Sequence, residues 1–552
     1  MQQSGRRTVT AVLLLALGLA AVTWAALQRA EPYLGHDESV YAARARSWAT
    51  GQPSAGWEVY RPVGLPAVGR VVLGLVGALT GAEPTAQASG DGGLQPGTAT
   101  VVLRVVALGL ALLTLLITYL VGARLIGPPR AAVAVLVVVG GMTFVRRVPE
   151  FLDDIPAAGL LLLAAYLVLR SRRSQVTARA WSLPAAAAVA VIACLVRYGA
   201  TAGLLSIAVA GLVAWGPRVW LRAWRELLGA AVVLAVGLAP LLSYSARVTG
   251  TPLGLMQRAA DVAHRQYVGE GLVFYARSFP IGLAGPLGAV VMTAGLVGLA
   301  LAARRLLATR RPRPTAAIAA DRERVFLGAA ALLALLVLGL VAHGEGRFAM
   351  FSVLTLTLLG TDSLVSGLAG RTPSALPVLK SLAVAAAVVA PLTTLQMAGR
   401  LDQVTAVRTS IADSLGQALG VAAGDGAGGS VGAAATRGGA ATGAATGVTN
   451  GAAPGATVVG EAATLPCLVV TQSVPEAGWL TGCDARRAEA VRTLPAGTVV
   501  YVVDFPNVAT TAGLARIKAL APDRTWTVRR VHTSGSYSTA DIAVSYPADP
   551  GS

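Results

Sequence analysis

Residues 6–27 read RRTVTAVLLLALGLAAVTWAAL, with two arginines directly before an apolar run from Thr8 to Leu27. The run has the length of about 20 residues that a helix needs to cross the hydrocarbon core of a bilayer. Comparable runs recur along roughly the first 400 positions, and the mean hydropathy is +0.64. Only 13% of the 552 residues are charged, about half the fraction of a soluble protein. The sequence therefore predicts a polytopic α-helical membrane protein.

The apolar runs and the arginines between them predict about eleven spans with a defined orientation. Arg6 and Arg7 place the N-terminus in the cytoplasm, and alternation then places the short arginine-rich loops on that side as well. A cleaved signal peptide is the alternative for the first run, although its apolar core would be unusually long. The cytoplasmic loops are 123–130, 171–180, 217–226 and 303–325. The predicted spans are 8–27, 100–122, 131–146, 156–170, 182–198, 200–216, 227–246, 282–302, 326–343, 347–368 and 380–397.

The run from Val63 to Thr80 is predicted to be an interfacial helix, because it is short and contains Pro66 and Arg70. Counting it as a span would invert every later loop and break the charge rule. The predicted location is therefore the plasma (inner) membrane, with the C-terminus extracytoplasmic. The net charge of +18 does not indicate a nucleic-acid partner, because the arginines cluster in these short loops.

The chain is predicted to have three parts: a transmembrane domain at 1–400 with loop helices at 30–80, a stem and Ala/Gly-rich linker at 401–463, and a small α/β domain at 464–552. In the last part, CLVVTQ, TVVYVVDF, TWTVRRV and IAVSY predict buried strands, and 509–521 predicts a helix. Cys467 and Cys483 lie outside the membrane in this topology and could form a disulfide. Cys194 lies within an apolar run and is predicted to be inert core.

With this topology, the unusual charged clusters share the outer face. They are GHDESVY at 35–41, FVRRVPEFLDDIP at 144–156, LVRYGA at 195–200 and HGEGRF at 343–348. Ionisable residues that pair at membrane ends often mark substrate paths. Simpler interpretations remain open: Asp37 and Glu38 could be solvated acids, and Asp153 or Asp154 could cap a helix. The arginines could be interfacial side chains that reach toward water, and His264 and His343 show no metal-binding pattern.

Carboxylates with several arginines, but without a nucleotide-binding loop, fit sugar transfer from a lipid phosphate. A polyprenyl phosphate is a good leaving group that needs its charge neutralised by Arg or a metal. The acceptor hydroxyl needs a general base, which one positioned carboxylate can supply. A hydrolase that needs both an acid and a base matches this set less well.

The order of these motifs resembles the GT-C superfamily of membrane glycosyltransferases, in particular the family 39-like group of protein mannosyltransferases and aminoarabinose transferases. The resemblance rests on Asp37–Glu38 after the first span, on Tyr60-Arg61-Pro62-Val63-Gly64-Leu65-Pro66, and on Leu152-Asp153-Asp154-Ile155-Pro156. A C-terminal extracytoplasmic domain is also usual in that group. The chain departs from the family pattern at Val63, where a second proline is common, and in using Arg where the family has a donor-contact Lys.

The resemblance implies that Asp37 is the general base and that Glu38 assists it. Asp153 and Asp154 would orient the substrates, and either of them or Glu38 could hold Mg²⁺ or Mn²⁺. The remaining donor-binding residues that it implies are Tyr60, Arg61, Arg146, Arg147, Arg197, Tyr198, Glu345 and Arg347. The implied partners are a polyprenyl-phosphate sugar of mannose or arabinose type and a protein, cell-wall glycan or glycolipid acceptor.

Two other classes compete with a transferase. A lipid or sugar transporter would use the same spans, but the sequence shows no inverted repeat of the span pattern and no charge in the middle of a span. A membrane anchor that presents the C-terminal domain as a binding module would need far fewer spans.

Overall fold

The computed structural model describes residues 2–51, 61–80, 87–88, 94–95, 97–173, 176–261, 267–308, 314–369, 375–425, 467–481, 483–494, 498–505, 513–532 and 539–545. The chain forms two compact units. The first unit comprises Met1–Pro32, Glu58–Val71 and Leu103–Asp402. The second comprises Tyr33–Trp57, Val72–Val102 and Gln403–Ser552.

Helices make up almost all of the described residues up to Asp425. In chain order they are α1 (Gln2–Ala30), α2 (His36–Thr50), α3 (Gly64–Thr80), α4 (Thr98–Leu125), α5 (Pro128–Val139), α6 (Met142–Arg147), α7 (Asp154–Arg173), α8 (Val176–Val196), α9 (Ala200–Trp215), α10 (Pro217–Leu221), α11 (Trp224–Thr249), α12 (Gly254–Asp261), α13 (Glu270–Ser278), α14 (Ile281–Leu307), α15 (Thr315–Val341), α16 (Met350–Ala369) and α17 (Leu376–Asp425). A 3₁₀ turn at Gly346–Ala349 precedes α16, and the short strands β1 (Gln87–Ala88) and β2 (Leu94–Gln95) pair between α3 and α4.

The prediction of a polytopic all-α membrane domain is confirmed. Among the described residues, eight helices are long and apolar enough to cross a membrane: α1, α4, α7, α11, α14, α15, the turn with α16, and the first part of α17. The eleven predicted spans correspond to these eight helices and to three shorter apolar helices. The three shorter helices are Pro128–Val139, Trp181–Val196 and Ala200–Trp215. The helix Gly64–Thr80 is also of this shorter class, and its interfacial position stays a prediction.

The predicted span 131–146 is wrong as a single helix. It divides into α5 and α6 at Gly140 and Gly141, where Gly141 takes an extended conformation with ψ of 136°. A Cβ atom on Gly141 would lie 3.0 Å from the carbonyl oxygen of Val138, so the missing side chain gives room for the break. The break is held in place by Thr143, whose hydroxyl donates to the carbonyl oxygen of Leu283 at 2.7 Å. After the break, α6 runs to Arg147, and Arg146 and Arg147 are its last two residues.

The helices of the first unit pack through small residues and leave an apolar outer surface. On α16, a Cβ added to Gly360 would collide with the carbonyl oxygen of Val291, so α14 and α16 approach closely there. By contrast, α11 exposes Leu228, Val232 and Val236, which are 57%, 53% and 70% exposed. An apolar surface of this kind is what a helix presents to lipid.

The second unit contains α2, the end of α17 and the C-terminal α/β domain. The predicted small α/β domain is confirmed, with a five-stranded sheet in the order β4-β3-β5-β7-β6. Its strands are β3 (Cys467–Thr471), β4 (Asp484–Arg486), β5 (Val499–Asp504), β6 (Thr527–His532) and β7 (Thr539–Ser545). Strands β4, β3 and β5 are parallel, whereas β7 is antiparallel to β5 and β6.

The described residues of this domain also form the helices α18 (Val474–Thr481) and α19 (Gly513–Leu520) and a 3₁₀ turn at Ala488–Ala490. The described part of the predicted helix 509–521 is therefore helical, and β4 is a strand that the sequence did not predict. Cys467 and Cys483 are joined by a disulfide, with their Cα atoms 5.1 Å apart. Helix α17 continues to Asp425, so the first part of the predicted stem is helical; residues 426–463 lie outside the described residues.

Candidate active site

The first unit gathers two carboxylates and two arginines where three helical elements begin. Asp153 and Asp154 lie at the start of α7, Arg197 lies in the turn between α8 and α9, and Arg347 lies in the 3₁₀ turn before α16. Arg197 Nη1 is 2.6 Å from Asp153 Oδ1 and 2.5 Å from Asp154 Oδ1. Arg347 Nε is 4.0 Å from Asp154 Oδ2. Because both carboxylates are buried, they depend on this cationic partnership.

A second group extends this cluster through Arg347. The guanidinium of Arg347 pairs with the carboxylate of Glu345, whose Oε1 is also 2.8 Å from His343 Nε2. Burial opposes ionisation of Glu345, but Arg347, His343 and Arg147 outweigh it and lower the pKa of this carboxyl below its usual value. His343, for which no role was predicted, is therefore part of the cluster. Tyr275 donates to the carbonyl oxygen of Glu345 at 3.3 Å.

The ring of Phe348 organises the two guanidinium groups of the cluster. The Cζ atoms of Arg197 and Arg347 lie 4.7 Å and 5.3 Å from the ring centroid. Contacts of this geometry between a cation and an aromatic face are attractive and fix the orientation of the cation. Phe348 is a site residue that the sequence analysis missed, although it directly follows Arg347.

A narrow cavity of about 30 Å³ opens beside this cluster. Asp154, Arg197 and Arg347 line it with charged groups at the starts of their helices. The rest of its wall is small or apolar: Ala157, Ala158, Leu161, Gly199, Ala200, Gly203, Ala334, Leu338, Phe348, Met350 and Phe351. The cavity thus has a charged end and an apolar wall, and residues of α7, α9 and α15 form most of that wall. It is too small for a substrate in this conformation, so a ligand has to widen it.

Two buried glutamates that the sequence analysis missed hold the arginines of α6. Arg146 Nη1 lies 2.7 Å from Glu150 Oε1 and 3.2 Å from Glu31 Oε2. Arg147 Nη1 lies 2.5 Å from Glu150 Oε2. These arginines are therefore paired with carboxylates, rather than being only interfacial. Glu150 lies in the turn that directly follows α6, only three and four residues after Arg147 and Arg146, and this short spacing was a usable signal in the sequence.

Among the described residues, the predicted donor-binding residues Tyr198 and Arg61 do not line this cavity. Tyr198 is 5% exposed, packs with Leu241 and Leu255, and does not line the cavity. Burial raises the pKa of Tyr198 to about 12, so its hydroxyl is neutral at physiological pH. Arg61 lies just before α3 in the first unit, and its role stays a prediction. Tyr60 lies outside the described residues.

In the second unit, Asp37 and Glu38 occupy the first turn of α2 but have different surroundings. Glu38 is buried, and its Oε2 accepts a hydrogen bond from the backbone N–H of Gly35 at 2.8 Å. The carboxylate of Glu38 therefore closes the start of the helix, as an acid at this position commonly does. Asp37 is partly exposed. The catalytic roles of both residues stay predictions.

A buried arginine holds α2 against the C-terminal domain within the second unit. Arg46 is 1% exposed, and its Nη1 and Nη2 donate to the carbonyl oxygens of Trp479 and Gly478 at 2.7 Å and 2.5 Å. These carbonyls lie near the end of α18, where a helix presents partial negative charge. Burial lowers the pKa of Arg46 to about 10, so it remains charged at neutral pH. At the start of α2, His36 Nδ1 lies 3.5 Å from Glu476 Oε1.

Among the described residues, no group of three or more His, Cys, Asp or Glu side chains is arranged to hold a metal ion. The candidate ligands Asp153 and Asp154 both contact Arg197, which supplies positive charge where a cation would lie. The metal site predicted at Glu38, Asp153 or Asp154 therefore has no supporting geometry and stays a prediction.

Two structures of the aminoarabinose transferase ArnT from Cupriavidus metallidurans are similar to the chain along nearly its whole length. With undecaprenyl phosphate bound, ArnT gives a TM-score of 0.57 at 16% identity, over 97% of this chain and 98% of that chain. In the apo state it gives a TM-score of 0.59 at 14% identity, with the same coverage of 97% and 98%. The chain has the GT-C fold.

The GT-C fold is also present in a more distant structure. The archaeal oligosaccharyltransferase AglB from Archaeoglobus fulgidus, in complex with an inhibitory peptide and a dolichol-phosphate, gives a TM-score of 0.50 at 12% identity. The similarity covers 94% of this chain and 71% of AglB. No protein-family model and no curated protein sequence matches the chain. The predicted resemblance to the GT-C superfamily is thus confirmed at the level of the fold.

Proposed function

We propose that the protein is an inverting glycosyltransferase that transfers a sugar from a polyprenyl phosphate to an extracytoplasmic acceptor. The observation that carries the proposal is the cavity beside Asp154, Arg197 and Arg347, which combines charged groups at one end with an apolar wall. A lipid phosphate has the same division, with an anionic head and an apolar chain. Two proteins of this fold support the assignment, because ArnT binds undecaprenyl phosphate and AglB binds a dolichol-phosphate.

In this proposal, Arg197 and Arg347 receive the donor phosphate. Charge-assisted contacts from guanidinium groups are well suited to a phosphate, and they stabilise the charge that develops as the phosphate leaves. Both arginines already contact carboxylates, so the incoming phosphate competes with Asp153, Asp154 and Glu345 for them. The carboxylates hold the arginines in place before the donor arrives, which lowers the cost of ordering them.

The transfer itself is a single displacement at the anomeric carbon. The acceptor oxygen forms a bond to that carbon while the bond from carbon to the phosphate oxygen breaks. The proton of the acceptor hydroxyl passes to Asp37, and the polyprenyl phosphate leaves as an anion. Attack from the face opposite the leaving group inverts the configuration. A positioned carboxylate base increases the rate of such a reaction by a factor of about 10²–10⁴.

The proposal includes an orientation, a donor class and an acceptor class. The arginine-rich loops place the N-terminus in the cytoplasm of a bacterial cell, and the C-terminal domain then lies outside the plasma membrane. The donor sugar is of mannose or arabinose type, and the acceptor is a protein, a cell-wall glycan or a glycolipid. We expect transfer without an added divalent cation, because Arg197 and Arg347 provide the positive charge. Initial rates with EDTA and with added Mg²⁺ or Mn²⁺ measure this directly.

The test is donor consumption by membranes that contain the protein. Membranes are incubated with radiolabelled polyprenyl-phosphate mannose or polyprenyl-phosphate arabinose, and released lipid phosphate and labelled product are quantified. We expect consumption of one donor by the wild type and a large loss in both Asp37→Ala and Arg197→Gln. The variant Asp541→Asn is the control, because Asp541 pairs with Arg530 on an exposed part of the C-terminal sheet.

The outcomes separate the parts of the proposal. Equal transfer by the wild type and Asp37→Ala would overturn the assignment of the base while leaving the reaction class intact. Equal transfer by the wild type and Arg197→Gln would overturn the phosphate site. If neither donor is consumed, and vesicles containing the protein instead move the intact lipid across the bilayer, the protein is a transporter.

A further inference from the structure

The C-terminal domain has a crevice at the place where its strand order reverses. From β3 the chain passes through α18 to β4 on one side, and then returns to β5 on the other side of β3. Because β3 and β5 are parallel neighbours, their carboxyl ends lie side by side. In open α/β sheets, ligands bind in the crevice outside the carboxyl ends of strands at such a reversal. The topology therefore marks this end of the sheet as a candidate binding site.

A cavity of about 300 Å³ lies at this position. That volume is at the lower end of the range of roughly 300–1,000 Å³ that pockets for small molecules occupy. Its polar lining comes from the ends of β3 and β5 and from the segment after β4, namely Thr471, Gln472, Arg487, Glu489 and Asp504. Gly513, the first residue of α19, also lines it. The cavity can therefore hold a ligand of about the size of one sugar ring.

Asp504 and Gln472 form a fixed polar pair at the base of this cavity. Gln472 Nε2 donates to Asp504 Oδ1, and Gln472 Oε1 accepts from the backbone N–H of Phe505 at 3.3 Å. Asp504 Oδ2 accepts from the backbone N–H of Leu514 at 3.3 Å. Asp504 is only 9% exposed, so these contacts set its orientation. Each carboxylate oxygen can accept a further hydrogen bond, and the amide has a second N–H.

The position of Asp504 decides which ligand chemistry fits. Its carboxylate occupies the N-terminus of α19, which is where a phosphate would otherwise bind. A Cβ atom on Gly513 would lie 3.3 Å from Asp504 Oδ2, so the helix start and the carboxylate are in close contact. Arg487 and Glu489 offset each other at the rim, and both are exposed. The lining is thus net negative by one charge, which disfavours an anion and favours hydroxyl donors.

We propose that this crevice at the carboxyl ends of β3 and β5 binds a neutral sugar residue. Asp504 accepts hydrogen bonds from the hydroxyl groups of the sugar, and the second N–H of the Gln472 amide donates to the sugar. The binding site is separate from the charged cavity of the first unit in sequence and in chemistry. It does not depend on the proposed transfer reaction, because a sugar can bind here whether or not the protein is a transferase.

The test uses the full chain purified in detergent, with methyl α-mannopyranoside, methyl α-arabinofuranoside and methyl β-glucopyranoside as probes. Saturation-transfer NMR and titration measure the Kd of each. We expect at least one glycoside to bind, and Asp504→Asn to weaken it at least tenfold. The matched control is Asp523→Asn, which makes the same change on an exposed carboxylate after α19, at the opposite end of that helix from Gly513, and leaves the Kd unchanged.

A second measurement protects the test against misfolding of the Asp504 variant. Arg487→Cys places a thiol on the exposed rim, and Arg530→Cys places one on an exposed part of β6. We expect the bound glycoside to slow maleimide labelling of Arg487→Cys at least threefold and to leave Arg530→Cys unaffected. Equal labelling rates with and without glycoside would overturn the proposal. Protection by inorganic phosphate or Mg²⁺ but by no glycoside would overturn it as well.

Discussion

Two acid pairs, Asp37–Glu38 and Asp153–Asp154, look alike in the sequence and differ in the structure. Each pair stands at the start of a helix that follows a short loop. In the second pair, both carboxylates are buried and both contact the guanidinium of Arg197. In the first pair, Glu38 is buried against the N–H of Gly35, whereas Asp37 is partly exposed.

The difference shows that burial decides what an acidic residue can do. A buried carboxylate has to keep a cation or several N–H donors, so it serves to hold another group in place. A carboxylate at the surface can exchange a proton with a substrate at lower cost. By this reasoning, Asp153 and Asp154 position Arg197 and Glu38 fixes the helix start, whereas the role of Asp37 as the base stays our proposal.

The largest expected effect is on Asp37. We expect Asp37→Asn to lower the transfer rate at saturating donor by at least about 100-fold, because it keeps the shape of the side chain and removes the base. The measurement is the initial rate of sugar transfer by the purified protein. Asp541→Asn should retain the wild-type rate. An Asp37→Asn variant with more than about a tenth of the wild-type rate would exclude this residue as the base.

The second-largest expected effect is the loss of stability when Arg197, which contacts both Asp153 and Asp154, is removed. We expect Arg197→Ala to lower the free energy of unfolding by about 3–5 kcal/mol, because it leaves buried carboxylates without their nearest partner. Thermal unfolding in detergent measures the loss. Adding Asp153→Asn and Asp154→Asn to this variant should recover part of it. If Arg197→Ala alone unfolds at the same temperature as the wild type, the buried carboxylates of Asp153 and Asp154 do not need Arg197.

A smaller effect is expected where α2 meets α18. Arg46→Ala removes charge-assisted hydrogen bonds to two carbonyl groups, and we expect a loss of about 1.5–3 kcal/mol. Hydrogen–deuterium exchange should become faster in α2 and α18 and stay unchanged in α14 and α16. Arg44→Ala is the matched control on the same helix, where Arg44 stacks on Trp48. Unchanged exchange in α2 would mean that Arg46 does not hold this helix.

Substitution of Glu38, the neighbour of Asp37, should affect stability more than the transfer rate. We expect Glu38→Ala to destabilise the protein by about 1 kcal/mol through the lost closure of the helix start. Its transfer rate should stay within about threefold of the wild type, far above that of Asp37→Asn. The two rates are measured side by side. Equal losses from both substitutions would mean that the two acids act as one catalytic unit.

The smallest expected effect is a pH dependence of stability from Glu345. Its pKa is lowered in the folded protein, where Arg347 and His343 outweigh the effect of burial. Its contribution to stability is therefore full above the unfolded pKa of about 4.3, and it is lost as the pH falls through the lower folded pKa. Glu345→Gln should flatten this part of the unfolding curve. An unchanged slope between about pH 5 and pH 3 would contradict the stated direction.

The membrane class, most of the long helices and the α/β character of the C-terminal domain could be predicted from the sequence alone. Hydrophobic run length and the alternation of strand residues are local properties, so they can be recognised without a structure. The acidic motifs near Asp37 and Asp153 were also visible, because charge beside an apolar run is costly and stands out. The break at Gly140 and Gly141 was not predicted, since the apolar run continues on both sides of it.

Which charged groups contact each other could not be predicted from the sequence and is seen only in the folded protein. Glu31 meets Arg146 across 115 positions of sequence, and Arg46 meets Trp479 across 433. No local pattern encodes such a pairing, because it depends on how helices pack and on which side chains that packing buries. The same holds for the crevice at the carboxyl ends of β3 and β5. It exists because β4 lies on one side of β3 and the next strand, β5, lies on the other side. Local periodicity specifies the elements, whereas burial and long-range packing specify which carboxylate holds a cation and which can accept a proton.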